Sequence, residues 1–111
     1  MDDHPSFRAS ARALLQAEGF EVVGEAADGA EALRAVAELH PDVVLLDVQL
    51  PDIDGFDVAA RLTKMNSRAP AIVLTSSRDG SDFGPLVEYS GARGFVPKAE
   101  LSAEALAVLL P

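Results

Sequence analysis

The sequence predicts an α/β domain whose helices cover a parallel sheet, and three observations lead there. Two apolar runs, Val43-Val44-Leu45-Leu46 and Ala71-Ile72-Val73-Leu74-Thr75, have the length and composition of strands buried on both faces. Segments with apolar residues at helical spacing stand before, between and after them. Strands that alternate with helices in this way join into one parallel sheet through right-handed crossovers, with helices on both faces.

Each element has a local reason. Pro5 can open a helix that Phe7, Ala11, Leu14 and Leu15 carry at helical spacing to Glu18, with Gly19 as its stop. Glu21 to Ala26 reads as a short strand. Asp28, with Glu31 three residues on, resembles a capping box at the start of a helix bearing Leu33, Val36 and Leu39, which Pro41 ends. Asp42 to Asp47 is a buried strand, Asp54 can cap a helix from Gly55 to about Met65, and Ala71 to Thr75 is the next buried strand. Pro85 opens a short helix through Ser90, Gly94 to Pro97 is a last strand, and Ser102 caps a helix from Ala103 to Leu110.

Composition narrows the possible functions. The 111 residues read as one domain without linker or repeat. With 18 acidic and 9 basic residues the net charge is −9, so nucleic-acid backbones and anionic lipid are repelled, and neither is expected as a direct partner. There is no cysteine for a disulfide framework, and no apolar run is long enough to span a bilayer. The first residues lack the pattern of a signal peptide, so the expected compartment is the cytoplasm.

In a parallel sheet the strand ends gather on one edge, where such folds hold ligands. That edge would carry Asp47, Thr75 and Lys98 after successive strands, with Asp2 and Asp3 just before the first helix. Each residue alone has an ordinary reading. Asp47 could be a loop cap, Lys98 a solvated lysine, Phe95 core, and Ser76 or Ser77 could replace Thr75 if the register slips by one. Asp52 and Asp54 serve the turn and helix cap. His4 precedes the proline of the first helix, and His40 lies in the last turn of the second, where a cation suits the dipole.

The order and spacing of these residues resemble the receiver domain of bacterial two-component response regulators. The resemblance rests on Asp2-Asp3, on Asp47 with Pro51 and Asp54-Gly55, on Thr75 five residues after Pro70, and on Gly91 to Lys98. The opening Asp-Asp-His-Pro-Ser-Phe is most similar to receivers of the LuxR/NarL type, which commonly carry a helix-turn-helix output domain. The resemblance implies a flavodoxin-like doubly wound sheet of order 2-1-3-4-5. It implies Mg2+ held by Asp3 and Asp47 directly, by Asp2 through water, and by the backbone carbonyl of Gln49. Two carboxylates 4 Å apart repel by about 4 kcal/mol at an effective dielectric near 20, so three gathered acids call for such a cation.

The further implications concern chemistry. Asp47 would accept a phosphoryl group from a sensor histidine kinase or phosphotransfer protein, with Lys98 pairing one phosphoryl oxygen and the Thr75 hydroxyl donating to another. A downstream protein, unnamed by the sequence, would read a switch in which Thr75 moves and Phe95 changes rotamer by packing alone. The chain would then be a phosphoacceptor rather than an enzyme, without an output domain of its own. A receiver-like binding module that is never phosphorylated is a second reading. A haloacid-dehalogenase-type aspartyl phosphatase is a third, but it expects an acid two residues after the nucleophile, where Gln49 stands.

Two departures from the family pattern stand out. The family commonly has proline directly after the lysine, often in cis, whereas here Pro97 precedes Lys98 and Ala99 follows it. The family also has a strand before the acidic pair, lying between its second and third strands, and here it is missing. Its loss would orphan on the order of ten ladder groups, so the gap is not expected to stay open. A reading frame started too late, closure of the flanking strands or supply of a strand by a partner, and a decayed remnant are the three accounts.

Overall fold

The computed structural model describes residues 1–64, 69–77 and 83–110. Its centre is a parallel sheet of β1 (Val43–Asp47), β2 (Ala71–Ser76) and β3 (Gly94–Pro97) in the order β1-β2-β3. Around it lie α1 (Pro5–Ala17), α2 (Gly29–Leu39), α3 (Gly55–Thr63), α4 (Gly84–Ser90) and α5 (Ala103–Leu109), and a 3-10 turn, Lys98–Glu100, follows β3. This is the flavodoxin-like α/β architecture. No helix among the described residues is long and apolar enough to cross a membrane.

Side chains alternate across a strand, so each face of the sheet gathers its own core. Val44 and Leu46 of β1 and Ile72 and Leu74 of β2 pack with Ala32 and Val36 of α2 and with Phe56, Val58 and Leu62 of α3. Leu45, Val73 and Val96 pack instead with Leu15 of α1 and with Leu106 and Leu109 of α5. Leu46 and Leu74 are fully buried, each worth roughly 1.5–3 kcal/mol of apolar transfer.

The capping residues act as the sequence implies. Asp28 accepts a hydrogen bond from the Glu31 amide at 2.8 Å, Asp54 from the Phe56 amide at 2.7 Å, and Ser102 from the Ala105 amide at 3.1 Å. Gly19, with φ +89°, takes the left-handed conformation that ends α1. His40 is not in the last turn of α2. It is the C-cap, left-handed at φ 49°, and its amide bonds to the Val36 carbonyl. Met65, the expected end of α3, lies outside the described residues.

The expected strand at residues 21–26 is the main correction. These residues form no strand, and β1 is the edge of the sheet on that side. A ladder needs a neighbour, and among the described residues none lies alongside. Of the accounts of the missing strand, direct closure of the flanking strands is not seen. A groove of about 380 Å³ remains between residues 19–25 and β1, floored by Val43, Leu45, Val73 and Leu106. Its ends are held apart at one point. The Met1 nitrogen donates to the Leu45 carbonyl at 2.6 Å, the Asp47 amide donates to the Met1 carbonyl at 3.0 Å, and the Asp2 amide donates to the Ala26 carbonyl at 2.9 Å. Met1 and Asp2 therefore wedge between the two walls, and Glu25 is drawn toward α1 by Arg8 and Arg12 at 3.1 and 2.7 Å.

Candidate functional site

The wedge places the acidic pair. Asp2 follows directly from the Met1 contacts with β1, and Asp47 is the last residue of that strand, so the two carboxylates meet at the carboxyl edge of the sheet. Both are buried, at 1% and 2% exposure, whereas Asp3 is open to solvent. Lys98 enters from the turn after β3, its Nζ 2.6 Å from Asp2 Oδ2 and 3.1 Å from Asp47 Oδ2. Thr75 is the register partner of Asp47, and Ser76, its competitor by one step, registers with Pro97. The Gln49 amide donates to Asp47 Oδ1 at 2.9 Å, which fixes one carboxylate oxygen and leaves the other toward Lys98.

Gly55 lets the loop after Asp47 fold back so closely. A Cβ at that position would collide with the Asp47 carbonyl and the Val48 backbone. Asp52, read from the sequence as a turn residue, also accepts from the Gly29 amide at 2.7 Å and the Ala30 amide at 3.0 Å, tying the site loop to the start of α2. Those amide donors hold its carboxyl below the usual range.

Electrostatics separate the two buried acids. Burial pushes the Asp47 carboxyl up and the neighbouring Asp2 carboxylate adds to it, outweighing the Gln49 amide and Lys98. Asp2 is buried too, but the Lys98 ammonium, Asp47 and the His4 amide overcome that cost and hold it below its ordinary value. Lys98 is held above its usual value, because Asp2 and Asp47 outweigh its own desolvation.

The structure also draws in a residue that sequence reasoning left outside. His4 Nδ1 lies 3.0 Å from Asp2 Oδ1 and 3.1 Å from Asp3 Oδ1. Adjacency to the acidic pair was the available signal, but the helix-opening Pro5 gave His4 a simpler reading. Ligand atoms of Asp2, Asp3, His4 and Asp47 all lie within 4.8 Å of one another. Two buried oxygens are short of hydrogen-bond donors. Asp2 Oδ2 receives no aligned hydrogen bond beside its ionic contact with Lys98, and Thr75 Oγ1 has no partner among the described residues. Hard carboxylate donors with an undersatisfied buried oxygen fit a divalent cation, so the donor set is compatible with the implied metal.

Phe95 faces the other core. It packs against the cluster of α2 and α3, and its ring meets Phe83 edge to face with centroids 5.5 Å apart. All peptide bonds among the described residues are trans, including the one after Lys98, where Ala99 stands.

An α/β fold that gathers acids from the chain start and a strand end beside a lysine just after the last strand defines a receiver-type domain. The response regulator receiver domain family matches residues 1–109, and the chain belongs to it. Among curated proteins it is 37% identical to the transcriptional regulatory protein LiaR of Bacillus subtilis, over 94% of this chain and 49% of that protein. It is 42% identical to the DNA-binding response regulator MtrA of Mycolicibacterium smegmatis, over 88% of this chain and 42% of that protein. A solved LuxR-family two-component response regulator from Aurantimonas sp. SI85-9A1 superposes with a TM-score of 0.84 at 34% identity, covering 97% of this chain and 80% of that one. The chain thus spans about half the length of these curated relatives.

Proposed function

We propose that this receiver takes a phosphoryl group onto Asp47 with the help of a divalent cation and passes the change to a protein-binding surface. The observation that carries the reading is the convergence of Asp2, Asp47 and Lys98 within 3.1 Å contacts at the strand edge, beside the register partner Thr75. Mg2+ is the cation the donor set favours, with Asp3, Asp47 and the Gln49 carbonyl as its ligands and Asp2 acting through water. When bound, it supplies neutralisation of the crowded acids and of charge developing on the phosphoryl oxygens.

The protein's own groups do the remaining work. Ionised Asp47 attacks the phosphorus of a donor phosphohistidine or small acyl phosphate. A new O–P bond forms as the donor's P–N or P–O bond breaks and the pair leaves with the donor. The Gln49 amide orients the carboxylate. Lys98 turns from the acids to a phosphoryl oxygen, and the Thr75 hydroxyl, which has no partner among the described residues, donates to another. Movement of Thr75 along β2 then loosens the packing of Phe95 with Phe83 at the start of α4, which alters the face that a downstream protein reads. A sensor histidine kinase or phosphotransfer protein supplies the group, a downstream protein reads the altered face, and the domain acts as a phosphoacceptor and not as a turnover enzyme.

Incubation with acetyl phosphate and Mg2+, followed by intact-mass measurement, tests it. The expected result is one acid-labile phosphoryl group per chain, absent in Asp47→Asn. Phosphate release with no covalent adduct would instead support a phosphatase, and neither outcome would leave a binding module.

A further inference from the structure

Phe7 is an aromatic residue with an unusual neighbour. It lies in the first turn of α1, partly buried, yet it belongs to neither apolar core. Its ring instead faces the Lys98 ammonium, with Nζ 4.3 Å from the ring centroid. That distance is well inside the reach of a cation–π contact, and Lys98, only 15% exposed, is desolvated enough for the contact to matter.

Three groups therefore hold the ammonium: Asp2 on one side, Asp47 on another, and the Phe7 ring. Two of the three are the acids that a divalent cation would neutralise, and that cation would also repel the ammonium. Lysine is a point charge on a flexible four-carbon stem, so without a further hold it would swing to solvent. The ring face carries no formal charge and does not coordinate the cation, so its attraction survives when the carboxylates are occupied. We infer that Phe7 is a positioning residue which keeps Lys98 over the pocket once the acids are engaged elsewhere. This rests on the phosphoacceptor reading only for its consequence, not for its geometry.

The test separates the two. In the whole chain, proton NMR of the Lys98 ε-methylene should show resonances shifted upfield by the Phe7 ring current, and the shift should persist as Mg2+ is added. Phe7→Leu keeps apolar bulk and should return the resonances to their ordinary position. Phe7→Tyr keeps the ring and should retain the shift. Phosphoryl uptake from acetyl phosphate should fall by about 3- to 10-fold in Phe7→Leu and be restored in Phe7→Tyr. Circular dichroism checks that both variants fold. Unshifted Lys98 resonances in the parent chain, or loss of the shift as Mg2+ is added, overturn the inference. So does equal loss of uptake in the Leu and Tyr variants. If the parent chain takes up no phosphate, the proposed function fails, and the NMR arm still decides the role of Phe7.

Discussion

The two sides of β1 differ in a way that explains both the fold and the site. On one side β2 pairs with it residue for residue from Val43 to Asp47, and β3 continues the sheet. On the other side residues 19–25 line an open groove and form no ladder with β1. The residues themselves do not account for the contrast, since Val22 and Val23 favour strands as Val43 and Val44 do. The neighbour does. A strand is a relation between two segments, and the wedge of Met1 and Asp2 supplies that relation at one point only, the point from which the site is hung.

The contrast is exposed most sharply by setting Leu46→Ala on the paired side against Val23→Ala on the open side. Leu46→Ala, on the paired side and fully buried, should cost about 2–5 kcal/mol in urea unfolding. Gly55→Ala comes next, at about 1–3 kcal/mol, because the added methyl meets backbone that cannot step aside. It should also weaken phosphoryl uptake by displacing Asp47.

A smaller effect is expected from the charge cluster. Lys98 has a raised folded-state pKa, so its contribution to stability is complete below the ordinary lysine value of 10.5 and is lost as pH rises through the higher folded value. Unfolding midpoints should therefore decline on the alkaline side of 10.5, and the decline should be shallower in Lys98→Met. Asp2, with a lowered value, contributes above its ordinary 3.8 and loses that contribution as pH falls through the folded value. The smallest effect belongs to the open side. Val23→Ala, at a half-exposed position, should stay within about 0.5 kcal/mol of the parent. A loss there as large as that of Leu46→Ala would mean that residues 21–26 are held as a strand after all.

These differences show which parts of the molecule its sequence could reveal. Helix caps such as Asp28 and Ser102 and the buried runs at 43–47 and 71–75 depend on residues a few positions apart, and they were legible. The convergence of Asp2, Asp47, Thr75 and Lys98 was legible too, because a parallel sheet sends its strand ends to one edge. The fate of residues 21–26 was not, since their own alternation says nothing about whether a partner lies beside them. The contacts of Phe7 and His4 were hidden for a related reason. One looks like a core residue at helical spacing and the other like a residue before a proline, and only the three-dimensional arrangement turns their rings toward Lys98 and the acids.

Binding of Mg2+ measured by calorimetry on the unphosphorylated chain tests the central claim most directly. If Asp2, Asp3 and Asp47 form one cation pocket, the parent chain should bind a single ion, Asp3→Asn and Asp47→Asn should each weaken binding at least tenfold, a loss of about 1.4 kcal/mol, and Asp57→Asn, at an exposed position of α3, should change nothing. Binding that is indifferent to the first two substitutions, or no binding at all, would contradict the account.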